Sequence, residues 1–205
     1  MRKVKIAVLV SGGGTNLQTI IDSIQNGDIN GEITTVISDR ENAYALERAK
    51  NHGIKAIYID KRHCTERLMQ ELQKMDVELV VLAGFLSILG SELVKAYEGR
   101  IINIHPSLIP AFCGKGFYGE KVHKAAVEYG VKVSGATVHF VDEGTDSGPI
   151  ILQESVPVYA EDTAETLAER VLVVEHRLLP AAVGLFCKGR LSIEGRRVII
   201  AKEEV

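Results

Sequence analysis

Two side chains with catalytic chemistry interrupt an otherwise apolar run, RIINIHPSLIP, which spans Arg100 to Pro110. Side chains alternate faces along a strand, so Asn103 and His105 share one face while Ile102 and Ile104 point the other way, into a core. Pro106 stops the strand and leaves the polar pair at its C-terminal edge, where open α/β sheets bind ligands. An amide N–H can stabilise a developing oxyanion, and an imidazole exchanges protons near neutral pH. The pair suits attack on an acyl carbon, although two polar caps at a strand end would look the same. A third candidate, Asp146, lies in VDEGTDSGP with Asp142 and Glu143. Loop acids are usually only solvated. Gly148 and Pro149 tighten this loop directly after Asp146, and a carboxylate aimed inward from there would orient the ring of His105.

A second constellation, Ser11-Gly12-Gly13-Gly14-Thr15-Asn16, lies between an apolar β-branched run and a helical pattern. Glycines let the backbone turn sharply and expose N–H groups, and the following helix N-terminus adds donors and positive potential. This suits a phosphate. The dinucleotide fingerprint Gly-x-Gly-x-x-Gly fails because Leu17 holds its third glycine position, although Asp39 stands where a ribose-binding acid could sit. No Gly-Lys-Ser/Thr follows, so the turn is not a Walker loop. A tight turn that binds nothing is the plainer alternative, and a single phosphate on a small substrate is the better ligand.

The elements that position these residues follow from hydrophobic spacing. Strands are expected at Val4–Val10, Ile33–Ile37, Ala56–Ile59 and Leu79–Ala83. Helices are expected at Asn16–Gln25, Asn42–Asn51 and about Thr65–Met75. Apolar strands alternating with helices indicate a doubly wound, mostly parallel α/β sheet covered on both faces. The second half differs. It holds a Gly-rich loop, CGKGFYGE, a helix near Lys121–Glu128, and strands near Ser134–Val141 and Ile150–Val156 that form an antiparallel pair. A long helix, Thr163–Cys187, is capped by Asp162 or Thr163 with Glu165 nearby, and Gly189 marks its stop. The tail RRVIIAKEE adds a short edge strand. With no repeat or linker, residues 1–205 read as a single domain.

Composition sets the exclusions. With 205 residues, 46% apolar, the chain is long enough for one sizeable core, and its formal charge of −3 without a basic run offers nothing to nucleic acid or an anionic membrane. No window reaches the roughly 18 apolar residues of a membrane span. The basic start resembles an export signal, but its apolar part, Ile6–Val10, ends in the glycine turn. Cysteines 64, 113 and 187 have no metal spacing and read as free thiols in a reducing compartment, the cytoplasm by default.

NIHPSLIP, together with SGGGTNLQ, VLAGFLSIL, GATVHFVDEGTDSGPIILQ and RVLVVEHRLLP, resembles the folate-dependent formyltransferase family, and within it the phosphoribosylglycinamide formyltransferases of purine synthesis. The likeness runs in order from Lys5 to about Leu191 and implies a Rossmann-like single-domain formyltransferase fold. Its N-terminal half would bind phosphate and substrate, and its C-terminal half would bind folate and carry catalysis. It implies 10-formyltetrahydrofolate as co-substrate, no metal, small-molecule partners, and a monomer or weak homodimer. Asn103, His105 and Asp146 match the catalytic trio. Gly13, Gly14, Thr15 and Asn16 match the substrate-phosphate site, and Glu175 matches an acid that contacts the substrate. Leu86, Ile88 and Leu89 resemble the folate pocket, the loop of Val141, Asp142, Glu143 and Asp146 closes over the same ring, and Arg62 stands in for a missing basic residue.

That basic residue, which contacts the folate's glutamate tail in many members, is Ser87 here. Leu172 is apolar where many members are polar, so one substrate contact is expected to be missing. AFCGKGFYGEKVH differs from the Pro-Gly-x-His-type loop common in the family and is expected to act as a mobile flap, from which Lys115 could reach an anionic tail. Cys113 is expected to be inert. His139, on an apolar strand near the site, is read as structural, and His52, His63, His123 and His176 as ordinary surface or core residues. The nearest rival is a formyltetrahydrofolate deformylase, which uses water as acceptor and usually carries an extra N-terminal domain. A methionyl-tRNA formyltransferase needs a basic surface and an RNA-binding domain. A non-catalytic phosphate-binding module and an NAD-type dehydrogenase leave the Asn103, His105 and Asp146 grouping unused. A start at Met1 directly before the first strand is expected of a complete bacterial-type enzyme.

Overall fold

Nine strands form one sheet in the computed structural model, which describes residues 2–60 and 64–202, the side chain of Cys64 excepted. The strands are β1 (Val4–Val10), β2 (Gly31–Ser38), β3 (Lys55–Tyr58), β4 (Leu79–Leu82), β5 (Ile101–His105), β6 (Val133–Phe140), β7 (Ile150–Pro157), β8 (Leu191–Glu194) and β9 (Arg197–Ile200). The helices are α1 (Thr15–Gln25), α2 (Tyr44–Asn51), α3 (Cys64–Lys74), α4 (Ser91–Ala96), α5 (Glu120–Tyr129) and α6 (Ala164–Cys187). The sheet order is β3-β2-β1-β4-β5-β6-β7-β9-β8. Strands β3 to β5 pair in parallel, and β6 and β7 add on antiparallel. The chain leaves β1 toward β2 and β3, then returns on its other side at β4. That reversal opens a crevice at the C-terminal ends of β1 and β4, where the glycine turn and the segment after β4 both sit.

Alternation along β1 divides the core. Ile6, Val8 and Val10 pack on one face with α1, α2 and α6, and Ala7 and Leu9 pack on the other with α3 and α4. Helix α6 buries Leu167, Val171, Val174, Leu178, Leu179 and Val183. Each such side chain contributes about 1.5–3 kcal/mol of transfer free energy, before the opposing chain entropy. Its N-terminus is a reciprocal cap: Thr163 Oγ1 accepts from the Thr166 N–H, and the Thr163 N–H donates to Thr166 Oγ1 at 3.0 Å. Thr166, not Glu165, completes that cap. Gly189 follows the helix in a left-handed conformation, as its position suggested.

Two elements differ from expectation. Helix α4 has only six residues, too few for a helical period to show. The tail forms two strands. β9 touches β7 through the single pair Ile150 and Arg197, and β8, which precedes it in sequence, takes the edge. No helix among the described residues is long and apolar enough to cross a membrane.

Candidate active site

Asn103 and His105 stand together at the end of β5. Ile102 and Ile104 pack into the α6 side of the core, and Ile101 packs on the opposite side, the face that the polar pair shares. The turn after β5 is tied to the antiparallel strands. Thr137 Oγ1 donates to the Ser107 carbonyl at 2.6 Å and accepts from the Ile109 N–H at 3.1 Å, and Gln153 Nε2 donates to the Ile109 carbonyl at 2.8 Å. His105, 4% exposed, is thereby held on a fixed backbone.

His105 has an oxygen acceptor at each ring nitrogen. Nε2 lies 3.0 Å from the Phe112 carbonyl, and Nδ1 lies 3.5 Å from Asp146 Oδ2. A carbonyl can only accept, so Nε2 carries a proton. Asp146 is brought there by a backbone that only a few non-glycine residues adopt, with φ of 54°. Strain of this kind persists where the surroundings impose it. Two residues on, the backbone at Gly148 is packed so closely that a Cβ would fall 1.8 Å from the Phe140 carbonyl oxygen. The flap after β5 touches both catalytic candidates, because the Gly114 N–H also donates to Asp146 Oδ2 at 2.9 Å.

His139, expected to be structural, is placed against the site. It faces Asn103 across the β5–β6 pair, and its Nε2 lies 3.1 Å from Asn103 Nδ2. Its Nδ1 lies 2.8 Å from the Phe140 carbonyl. That acceptor fixes the proton on Nδ1 and leaves Nε2 as a lone pair for the Asn103 amide. Burial, the dominant cause, holds the pKa of His139 below the usual histidine value, so the ring is neutral. One Asn103 amide proton is thus engaged, and the amide plane is set. The alternation of β6 could have placed His139 on the same face as Thr137. Its pairing with Asn103 depends on strand register, which no single sequence displays.

A cavity of about 450 Å³ adjoins these groups. Asn103, His105, His139, Asp146 and Glu175 line it, as do Leu86, Ile88, Leu89, Val141, Asp142 and Glu143. Flap residues Lys115 to Gly119 and Ser87 also contribute. The acids near its mouth are engaged: Asp142 Oδ1 accepts from Ser147 Oγ and the Gly144 N–H, and Glu143 pairs with Lys95 at 3.0 Å. Ile88 is 81% exposed, at the rim. Ser87 Oγ donates to Asp39 Oδ2 at 2.6 Å, so the acid weighed as a ribose ligand serves the segment after β4. His123, buried on α5, also lines the cavity, and burial followed by the nearby His105 lowers its pKa to about 4. Cys113 keeps a raised pKa through burial and the Asp146 charge, consistent with an unreactive thiol. Arg62 and His63 lie outside the described residues.

Gly13, Gly14, Thr15 and Asn16 are not part of that lining, but Asn16 links to it through its Nδ2, which donates to Glu175 Oε2 at 2.7 Å. Burial, the larger cause, raises the pKa of Glu175 despite this bond. Gly14 is required internally, with φ of 73° and a virtual Cβ 2.6 Å from that of Ala45. Gly12 and Gly13 are not: a Cβ on either meets nothing within 4 Å. Their bareness serves open space outside the turn, which is what close approach of a ligand to backbone N–H groups needs.

The chain matches the formyl transferase family over residues 4–183. It is 43% identical over 197 residues to the chloroplastic phosphoribosylglycinamide formyltransferase of Vigna unguiculata, covering 93% of this chain and 63% of that protein, slightly under two thirds. It is 41% identical over 196 residues to the phosphoribosylglycinamide formyltransferase of Haemophilus influenzae, covering 93% of this chain and 90% of that one. Among solved structures, glycinamide ribonucleotide transformylase 1 from Symbiobacterium toebii is 47% identical with a TM-score of 0.91, over 98% of this chain and 95% of that one.

Proposed function

Because the chain belongs to the formyl transferase family, we propose that it moves the formyl group of 10-formyltetrahydrofolate to the amine of 5′-phosphoribosylglycinamide in purine biosynthesis. The carrying observation is the convergence of Asn103, His105 and Asp146 on one cavity that Glu175 also borders. The products are formylglycinamide ribonucleotide and tetrahydrofolate. The residues present fit a folate: the cavity is about 450 Å³, with Leu86, Leu89 and Val141 offering apolar contact and the 141–146 loop offering polar groups. The folate supplies an acyl carbon that the substrate amine attacks, with tetrahydrofolate as the leaving group.

The chain's own residues act on charge and protons. Asn103 keeps one amide N–H on His139 and directs its other N–H to the developing oxyanion. His105, flanked by the Phe112 carbonyl and Asp146, presents a positive ring to the same oxygen. Asp146 holds that ring and receives the proton shed by the attacking amine, directly or through water, and that proton passes on to the folate nitrogen as its bond to the formyl carbon breaks. Glu175, fixed by Asn16, holds the substrate, whose phosphate lies on Gly13, Gly14 and Thr15. Leu86, Ile88, Leu89, Val141, Asp142 and Glu143 form the folate side. The protein acts in the cytoplasm as a monomer or weak homodimer.

A spectrophotometric assay with 10-formyl folate tests this, run with and without glycinamide ribonucleotide on the wild type and His105→Ala. Turnover only with the amine, falling at least about 100-fold in the variant, supports the proposal, since general acid–base groups are worth roughly 10²–10⁴. Equal turnover without the amine makes water the acceptor and replaces the proposal with a deformylase.

A further inference from the structure

The glycine turn carries a cation that the reading so far leaves without a task. Arg48, on α2, reaches back across the turn. Its Nε donates to the Gly13 carbonyl at 2.7 Å, and its Nη1 donates to Gln18 Oε1 at 3.2 Å. Its guanidinium stacks 5.0 Å from the Tyr44 ring centroid, and its Cδ lies 3.4 Å from where a Gly14 Cβ would stand. Two hydrogen bonds and the ring contact thus hold the head in one place. Among the described residues, no carboxylate pairs with it: Glu47 bonds Lys50, and Asp22 accepts from Gln18. A guanidinium beside bare glycines and a helix N-terminus is suited to bidentate contact with phosphate oxygens. One residue into α1, the buried Asn16 has an Oδ1 with no partner, an acceptor that suits a hydroxyl or amine donor on the rest of a bound molecule rather than its phosphate.

We propose that Arg48 is the cation that recognises the substrate's phosphate, its Nη2 edge closing the anion site that the Gly12–Thr15 backbone opens. The proposal rests on the phosphoribosyl substrate read above and assigns a further residue of that site. Arg48 is a specificity determinant for the phosphate, remote from the reacting carbon, so it governs substrate affinity rather than the chemical step.

Calorimetric titration of the whole protein tests it with glycinamide ribonucleotide and with its dephosphorylated nucleoside, on wild type, Arg48→Met and Arg48→Lys. Melting of each variant confirms its fold. Losing a charge-assisted bond of this kind corresponds to a drop of roughly 10- to 100-fold in affinity. The expected result is that loss for the nucleotide with Arg48→Met, less than about threefold change for the nucleoside, and partial recovery with Arg48→Lys. In the transfer assay, KM for the nucleotide rises while kcat holds. Equal losses for nucleotide and nucleoside would show that Arg48 only shapes the turn, and unchanged nucleotide affinity would show that it meets no phosphate; either overturns the proposal. Binding is read separately from turnover, so a wild type that binds the nucleotide through Arg48 but transfers no formyl group would defeat the functional reading and leave this one standing.

Discussion

Replacing His139 by Leu removes the acceptor that sets the Asn103 amide, 3.1 Å away, at a ring that is 1% exposed. The leucine fills comparable volume, so the loss is chiefly the hydrogen bond. An oxyanion donor is worth about 2.7–4 kcal/mol in the transition state. A misdirected amide forfeits part of that, about 1.5–3 kcal/mol, which is a fall of about 10- to 150-fold in kcat at about 1.36 kcal/mol per tenfold. KM for either substrate should move less than about threefold, because the amide's task is confined to the transition state. His139→Gln, which keeps an acceptor oxygen, should recover part of the rate. Because His139 is neutral, with its pKa below the ordinary 6.5, its removal should leave the shape of the pH profile above pH 6.5 unaltered. The assay is steady-state formyl transfer on His139→Leu, Asn103→Ala and the double variant. If His139 acts through Asn103, the two losses overlap strongly. Additive losses, or full kcat in His139→Leu, would refute the reasoning.

Three further outcomes follow from the geometry. Gly13→Ala should shift Tm by no more than about 2 °C, since its Cβ meets nothing, yet raise KM for the ribonucleotide at least about tenfold by occupying ligand space. Glu175 has a folded pKa above 4.5, so its contribution is fully present below about pH 4.5 and is lost as pH rises through the folded value; the Tm of wild type should therefore fall relative to Glu175→Gln across that window. His123 has the opposite sign: its folded pKa of about 4 lies below the ordinary 6.5, so its contribution is present above pH 6.5 and lost as pH falls toward 4, and His123→Gln should flatten that acid limb in thermal melts.

Much of this architecture was legible because it rests on local periodicity. The alternation of Asn103 and His105 against Ile102 and Ile104 survives intact, as do the apolar parallel strands and the cap at Thr163. What stayed hidden depends on long-range register and loop course. The Asn103–His139 pair spans 36 positions, and its existence is decided by how β6 slides along β5. The flap was expected to be a lid; that its backbone contacts His105 and Asp146 could not be read from glycine content. Arg48 carried no motif, since its meaning comes only from the fold that lays α2 against the glycine turn. Family resemblance supplied Glu175, which helical spacing alone would have left as an ordinary core-facing anomaly.

The most direct test of the central claim follows the formyl carbon itself. With a donor ¹³C-labelled at the formyl group and glycinamide ribonucleotide present, carbon NMR of the reaction mixture should show the label as an N-formyl amide on the ribonucleotide. Label accumulating as free formate instead would contradict the transferase account and assign the proposed trio of Asn103, His105 and Asp146 to hydrolysis.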